Sequence, residues 1–170
     1  MTDAPILPID HPLMSEPSDP VTDFDGFIAE LADEMFEVMD MAGGQGLAAV
    51  QIGVPLRLIV VDMPDAMGEQ HRMALANPRI IARSDTMETR EEGCLSLPDH
   101  ELEVPRYTHI EVAFTHLTGE DDTLIAHGPL AVALQHEIDH TDGILFFDRV
   151  ARLRRSRAAG YFAKPIPPQE

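Results

Sequence analysis

One cysteine, Cys94, is the whole thiol content of the chain. No intramolecular disulfide can form, which excludes a disulfide-stapled secreted scaffold and leaves the sulfur free or bound to a metal. One lysine, Lys164, leaves no Lys-Ser/Thr pair to complete a glycine-rich phosphate loop. No apolar run approaches the roughly 18 residues that span a bilayer. The N-terminus, Met1-Thr2-Asp3-Ala4-Pro5, lacks the basic segment and apolar stretch of a secretory leader. These absences predict a soluble, cytoplasmic protein without a membrane partner.

Positive charge is also scarce. Twelve Lys and Arg stand against thirty Asp and Glu, a formal net charge of −18, so DNA or any broad nucleic-acid contact would meet repulsion. Half of the twelve cations, Arg149, Arg152, Arg154, Arg155, Arg157 and Lys164, lie in residues 149 to 164. An acidic body carrying a basic tail is expected. With 170 residues the chain fits one domain, residues 1–170, with an extended Pro-rich arm over 1–22 and a basic segment over 149–170.

What is present is periodicity. Phe27, Ile28, Leu31, Ala32, Met35, Phe36 and Met39 recur at helical spacing opposite Glu30, Asp33, Glu34, Glu37 and Asp40. This predicts an amphipathic helix, capped by Asp23 or Asp25 and ended by Gly43-Gly44. Leu56 to Met63 reads as a largely buried strand, and Met73 to Ile81 as a second, interrupted at Asn77-Pro78. Ile110 to Leu117 alternates with period two and returns at Thr123 to Ala126 after a turn containing Gly119, which makes a hairpin. Pro129 then opens a buried helix running to about His140. The expected fold class is α+β: short, mostly antiparallel strands packed around a central metal-binding helix, with an N-terminal amphipathic helix and a short C-terminal helix or tail.

The strongest chemical signal lies on that central helix. In His136-Glu137-Ile138-Asp139-His140 the two histidines sit at i and i+4, so their imidazoles can converge on one cation with the glutamate beside them. A shuffled chain of this composition would contain the pattern about 0.03 times. Two metalloprotease continuations fail: position 146 is Phe where a third histidine would stand, and no glutamate lies between His140 and the terminal Glu170. A third ligand must come from upstream. Cys94, in Glu91-Glu92-Gly93-Cys94-Leu95-Ser96-Leu97-Pro98, is the best candidate, since a thiolate suits borderline metals. A lone cysteine is otherwise usually a small buried apolar residue. Gly44 to Gly53 forms a second signal, in which small residues allow close backbone approach and Gln51 offers an amide donor for a developing oxyanion.

Together these segments resemble the peptide deformylase family. Gly44 to Gly53 is similar to its first motif, Glu92-Gly93-Cys94-Leu95-Ser96 to its second, and Gln135 to His140 to its third. The likeness extends to Asn77-Pro78, Val104-Pro105-Arg106 and Gly143 to Arg149, and covers roughly residues 5 to 150. It implies hydrolysis of the formyl group from the N-terminal formyl-methionine of nascent polypeptides. It implies one divalent metal held by Cys94, His136 and His140, with Fe(II) as native ion and Zn, Ni or Co as possible occupants. Glu137 would then be the acid and base for the attacking water, and Gln51 with the Leu95 N–H would stabilise the oxyanion. An extended peptide would border Gly46 and Gly93, its methionine side chain entering a pocket walled by Val132, Ala133 and His136. Arg106 would pair with Glu92 or Asp139 to steady the ligands, an ordinary fold-stabilising ion pair being the competing reading.

Three positions depart from the family pattern. Arg90 stands where an apolar pocket residue is frequent, Gln45 replaces an aliphatic, and Glu101 lies where some members carry arginine. They bear on peptide preference rather than on the chemistry, although Arg90 could equally reach out to solvent. The cluster Arg152, Arg154 and Arg155 is a candidate for ribosome contact, with a simply solvated face as the alternative.

Overall fold

The computed structural model describes residues 5–150. Helix α1, Gly26–Met41, starts at Asp25, whose carboxylate accepts from the Phe27 N–H at 3.0 Å. Its buried residues are Ile28, Leu31, Ala32, Met35, Val38 and Met39, one stripe at helical spacing. Phe27 lies off that stripe and stays exposed, and Phe36 is covered from outside by the Arg72 guanidinium, 4.4 Å above its ring.

Five antiparallel strands form one sheet, in the order β1 (Gly46–Ala48), β2 (Leu58–Pro64), β3 (Gln70–Arg83), β6 (His109–Thr115), β7 (Asp121–His127). The continuous apolar run of β2 has a direct cause. Successive side chains point to opposite faces, and both faces are covered: Leu58 and Val60 pack with α1, while Ile59 and Val61 join the core beneath helix α2, Pro129–Thr141. Asn77-Pro78 bends β3 without ending it. The register against β6 shifts there, Asn77 takes φ +48°, and its side chain bonds Val21 N and O at 2.8 and 2.9 Å, tying the bulge to the N-terminal arm. The strand resumes to Arg83, two residues past the expected end.

Strands β4 (Met87–Cys94) and β5 (Leu97–Tyr107) form a separate two-stranded sheet that the periodicity did not announce. Its tip is Leu95-Ser96, between the paired Cys94 and Leu97, and the register jumps from Gly93↔Glu101 to Cys94↔Leu97. Pro98, Asp99 and His100 therefore bulge out beside Cys94.

The N-terminal arm is latched at both ends of this assembly. Leu7 N–H donates to Gln51 O at 2.7 Å and Ile9 N–H to Ser96 O at 2.9 Å, while Ser18 N–H donates to Thr141 O at 2.9 Å at the end of α2. Gly143 permits the last contact, since its φ is +72° and a Cβ there would come within 2.8 Å of the Glu16 carbonyl carbon. The expected C-terminal helix or tail, with Arg152, Arg154 and Arg155, lies outside the described residues. Among the described helices none is long and apolar enough to cross a membrane.

Gly143→Ala should destabilise the fold by about 2 kcal/mol or more, because backbone strain adds to the clash with the arm. Gly53→Ala, at φ +85° with nothing within 4 Å of the added carbon, should lose only the backbone part, about 1 kcal/mol. Urea denaturation of both variants checks the difference; equal losses would show that the arm does not press on Gly143.

Candidate metal centre

Helix α2 is buried on nearly all sides from Leu134 to Thr141, which lets it carry polar residues into the interior. His136 and His140, one turn apart, bring their Nε2 atoms to 3.2 Å, and Cys94 Sγ reaches His140 Nε2 at 3.5 Å. All three ligand atoms lie within 4.8 Å of one another. A tetrahedral ion with nitrogen at about 2.0–2.1 Å and sulfur at about 2.3 Å has N···N edges of about 3.3–3.4 Å and N···S edges of about 3.5–3.6 Å. The two closest separations match those edges, so the residues fit a thiolate-imidazole metal site.

His136 is oriented by groups behind it, whereas His140 Nδ1 is buried without a hydrogen-bond partner among the described residues. His136 Nδ1 donates to Glu92 Oε1 at 2.8 Å, which leaves Nε2 as the bare nitrogen facing the cluster. Arg106 grips Glu92 through Nε at 2.7 Å and Nη2 at 2.9 Å, and reaches Asp139 Oδ2 through Nη1 at 2.7 Å. The sequence left open whether Arg106 meets Glu92 or Asp139; it meets both, at 3% exposure. Arg149 completes the row by donating to both Asp139 oxygens at 2.8 and 3.1 Å. In the sequence Arg149 falls in the basic tail, and no periodic signal links it to Asp139.

Electrostatics favour a cation here. Burial disfavours a charged imidazole at His136, yet the Cys94 sulfur and the Glu92 carboxylate hold its pKa well above the ordinary value. The groups that draw a proton to this spot would draw a metal cation for the same reason. His140 is pushed well below the usual value, by burial and then by His136. Burial also raises Glu92, but the Arg106 and His136 hydrogen bonds outweigh it and keep the carboxylate ionised. Glu137, buried with one carboxylate oxygen unpartnered, is pushed up to about 7 by desolvation, a displacement that a neighbouring cation would reverse in part.

Gln51 sits in the 3₁₀ turn Ala49–Ile52, and its Oε1 accepts from the Ala48 N–H at 2.9 Å. That bond fixes the amide orientation and turns Nε2 toward Ser96 Oγ, at 3.0 Å, and Cys94 Sγ, at 3.8 Å. Ser96 belongs to the Glu92 to Ser96 segment, and only tertiary packing shows that it braces Gln51.

Cys94 and His136 line a cleft of about 760 Å³, with His140 buried behind them, a volume within the usual range for ligand sites. Gly46, Gly93, Leu95, Val132, Ala133 and Glu137 all line it. Gly46 has a steric reason to be glycine: a Cβ there would lie 2.7 Å from Glu137 Oε1. Gly93 has none of this kind, since the nearest atom to an added Cβ is 3.9 Å away. Leu95 closes over Gly44, where an added Cβ would meet its Cδ1 at 2.6 Å. Gln45 and Glu101 line the cleft, whereas Arg90 does not; it turns outward and pairs with Glu88 at 2.9 Å. Of the two readings of Arg90, the outward one describes the structure.

A second group with metal-binding residue types, Asp65, Glu69 and His71, lies in the β2–β3 turn. Asp65 is already engaged by the Met67 and Glu69 N–H groups and by His71 Nε2 at 2.8 Å, as a clamp of the turn.

The comparisons with known proteins agree with this geometry. The family model for polypeptide deformylase matches residues 3–156. A peptide deformylase of Rhizobium meliloti (strain 1021) is 41% identical over 164 residues, which cover 96% of this chain and 94% of the relative. One from Wolinella succinogenes is 40% identical over 156 residues, 90% of this chain and 91% of its own. Among solved structures, the Thermus thermophilus peptide deformylase superposes with a TM-score of 0.82 at 40% identity, covering 90% of this chain and 89% of that one. The Ehrlichia chaffeensis peptide deformylase gives 0.85 at 32% identity, covering 92% and 93%. The chain therefore belongs to the polypeptide deformylase family, and its activity is the metal-dependent removal of the formyl group from nascent peptides.

Proposed function

We propose that Cys94, His136 and His140 hold one divalent ion, natively Fe(II), and that Glu137, Gln51 and Leu95 carry out the chemistry beside it. The observation that supports this reading is that the separations of His140 Nε2 from His136 Nε2 and from Cys94 Sγ are close to tetrahedral edges, beside a cleft that Cys94, His136 and Glu137 line. When bound, such an ion supplies a positive charge that polarises the formyl carbonyl and acidifies water at its open position.

Glu137 takes the proton from the attacking water and returns it to the departing amine. Gly46 matters here by leaving space for the carboxylate, whose Oε1 occupies the volume a side chain would need. The Gln51 amide has two N–H bonds; one is engaged by Ser96, and the second, which faces Cys94 Sγ at 3.8 Å, serves the oxyanion together with the Leu95 N–H once the sulfur is bound to the ion. Because Ala48 N–H holds the amide from behind, this donor is oriented before substrate arrives.

The cleft lies between two strands that are each paired on one side among the described residues: β1 with β2, and β4 with β5. An extended peptide adds between them, passing Gly46 and Gly93, with its methionine side chain against Val132, Ala133 and the His136 ring. Glu92, Arg106 and Asp139 act behind the ligands by fixing the His136 ring. The whole chain, residues 1–170, works as a single catalytic domain. A substrate that exists at the start of translation places the activity in the cytoplasm, and the charge of Arg152, Arg154 and Arg155 suits ribosome contact.

Two variants test these roles, each measured as formate release from a formyl-Met peptide with metal content determined on the same anaerobic preparation. Glu137→Gln should keep one metal per chain and lose turnover by about 10²–10⁴-fold; a fully active variant would remove the acid and base role. Gln51→Ala should also keep its metal and fall by about 10²–10³-fold in turnover. Unchanged turnover in a loaded Gln51→Ala sample would defeat the oxyanion assignment.

A further inference from the structure

We propose that this cleft selects among formylated peptides by charge, favouring Lys and Arg over Asp and Glu in the residues after methionine, and that Glu101, with Glu91 and Asp99, sets the preference. The proposal rests on the reading that the peptide lies between β1 and β4.

Besides Glu92 and Glu137, three acidic residues line the cleft, Glu91, Asp99 and Glu101, and no ion pair among the described residues involves any of these three. Histidines aside, no residue of the lining carries positive charge. The arginines nearest in the fold are already engaged. Arg90 faces outward to Glu88, and Arg106 is buried between Glu92 and Asp139.

Glu101 has the most direct position. It stands opposite Gly93 in the β4–β5 register, and its Cγ lies 4.0 Å from the point where a Gly93 Cβ would be. Its stem thus lies beside the glycine that borders the peptide, and the residue lines the same cleft. Asp99 reaches the cleft from the bulge beside Cys94, and Glu91 from two residues before Gly93. At the floor, the buried carboxylate of Glu137 has one oxygen without a protein partner, which marks this as the place where a ligand is expected.

The physical consequence has a definite sign. A carboxylate on the second or third peptide residue enters a groove whose walls carry like charge, on a chain of formal net charge −18. An ammonium or guanidinium there gains attraction over distances comparable to the Debye length, about 8 Å at physiological salt. Such rim charges act mainly on encounter and binding, and they weaken as salt rises. The family resemblance raised Arg90 as the residue that would bias selection; its outward turn leaves the acidic wall to decide, with the opposite sign.

The test compares three formylated tripeptide amides, formyl-Met-Ala-Lys, formyl-Met-Ala-Ser and formyl-Met-Ala-Glu, on the metal-loaded enzyme. At low ionic strength kcat/KM should favour the Lys peptide over the Glu peptide by about tenfold, through KM rather than kcat, and added salt should shrink the ratio. Glu101→Gln should reduce the ratio, and combining it with Glu91→Gln and Asp99→Asn should bring it near one. Equal efficiencies in the unmodified enzyme, or a ratio that survives the triple variant, would overturn the proposal while leaving deformylation intact. Absence of formate from the neutral Ser peptide would overturn the reading of the site and this proposal with it.

Discussion

The structure depends on the contact between one buried helix and the tip of a two-stranded hairpin. α2 brings two imidazoles to the interior from consecutive turns, and the hairpin brings the Cys94 sulfur against them. Neither element could hold the arrangement alone. The row Arg149, Asp139, Arg106, Glu92 and His136 ties them together: Glu92 and Arg106 come from the two hairpin strands, His136 and Asp139 from the helix. Burying such a row costs desolvation, and replacing a buried ion pair by apolar residues is often neutral or stabilising in other proteins. Its value here is positional, because it fixes the ring and tautomer of His136.

The remaining fold serves that contact. The five-stranded sheet gives α2 a flat apolar support through Ile59, Val61 and Leu75, while α1 covers the opposite face over Leu58, Val60 and Ala76. The N-terminal arm joins the parts the sheet does not reach, bonding the Gln51 turn, the hairpin tip at Ser96 and the end of α2 at Thr141. Thus Gln51 is held by the arm through its main-chain carbonyl and by Ala48 through its side chain. A donor restrained in this way needs little reorganisation when charge develops beside it.

Much of this was legible in the sequence, for identifiable reasons. The histidine pair carries its geometry in its spacing, and the failed downstream ligands pointed back to Cys94. The β2 run, the β6–β7 hairpin and the stripe of α1 follow from burial period. The β4–β5 hairpin was not legible, because most of β4 is exposed and polar or charged, and Pro98 and Pro105 confine the alternation in β5 to Glu101-Leu102-Glu103-Val104. Ser96 and Arg149 were missed as partners since their contacts join residues that no local pattern connects, and nothing in a short window encodes a distance of that kind. The direction of Arg90 was equally hidden: its strand position shares a face with Glu88 and with buried Glu92, and it pairs with the exposed Glu88 instead of lining the cleft.

The central claim is that one sulfur and two imidazole nitrogens converge on a single ion. X-ray absorption at the metal edge of the anaerobically loaded protein reads this directly. The account predicts one sulfur scatterer at about 2.3 Å and two imidazole nitrogens at about 2.0–2.1 Å, with a further light atom completing four-coordination. A shell of nitrogen and oxygen alone, with no sulfur, in protein carrying one metal per chain would contradict it.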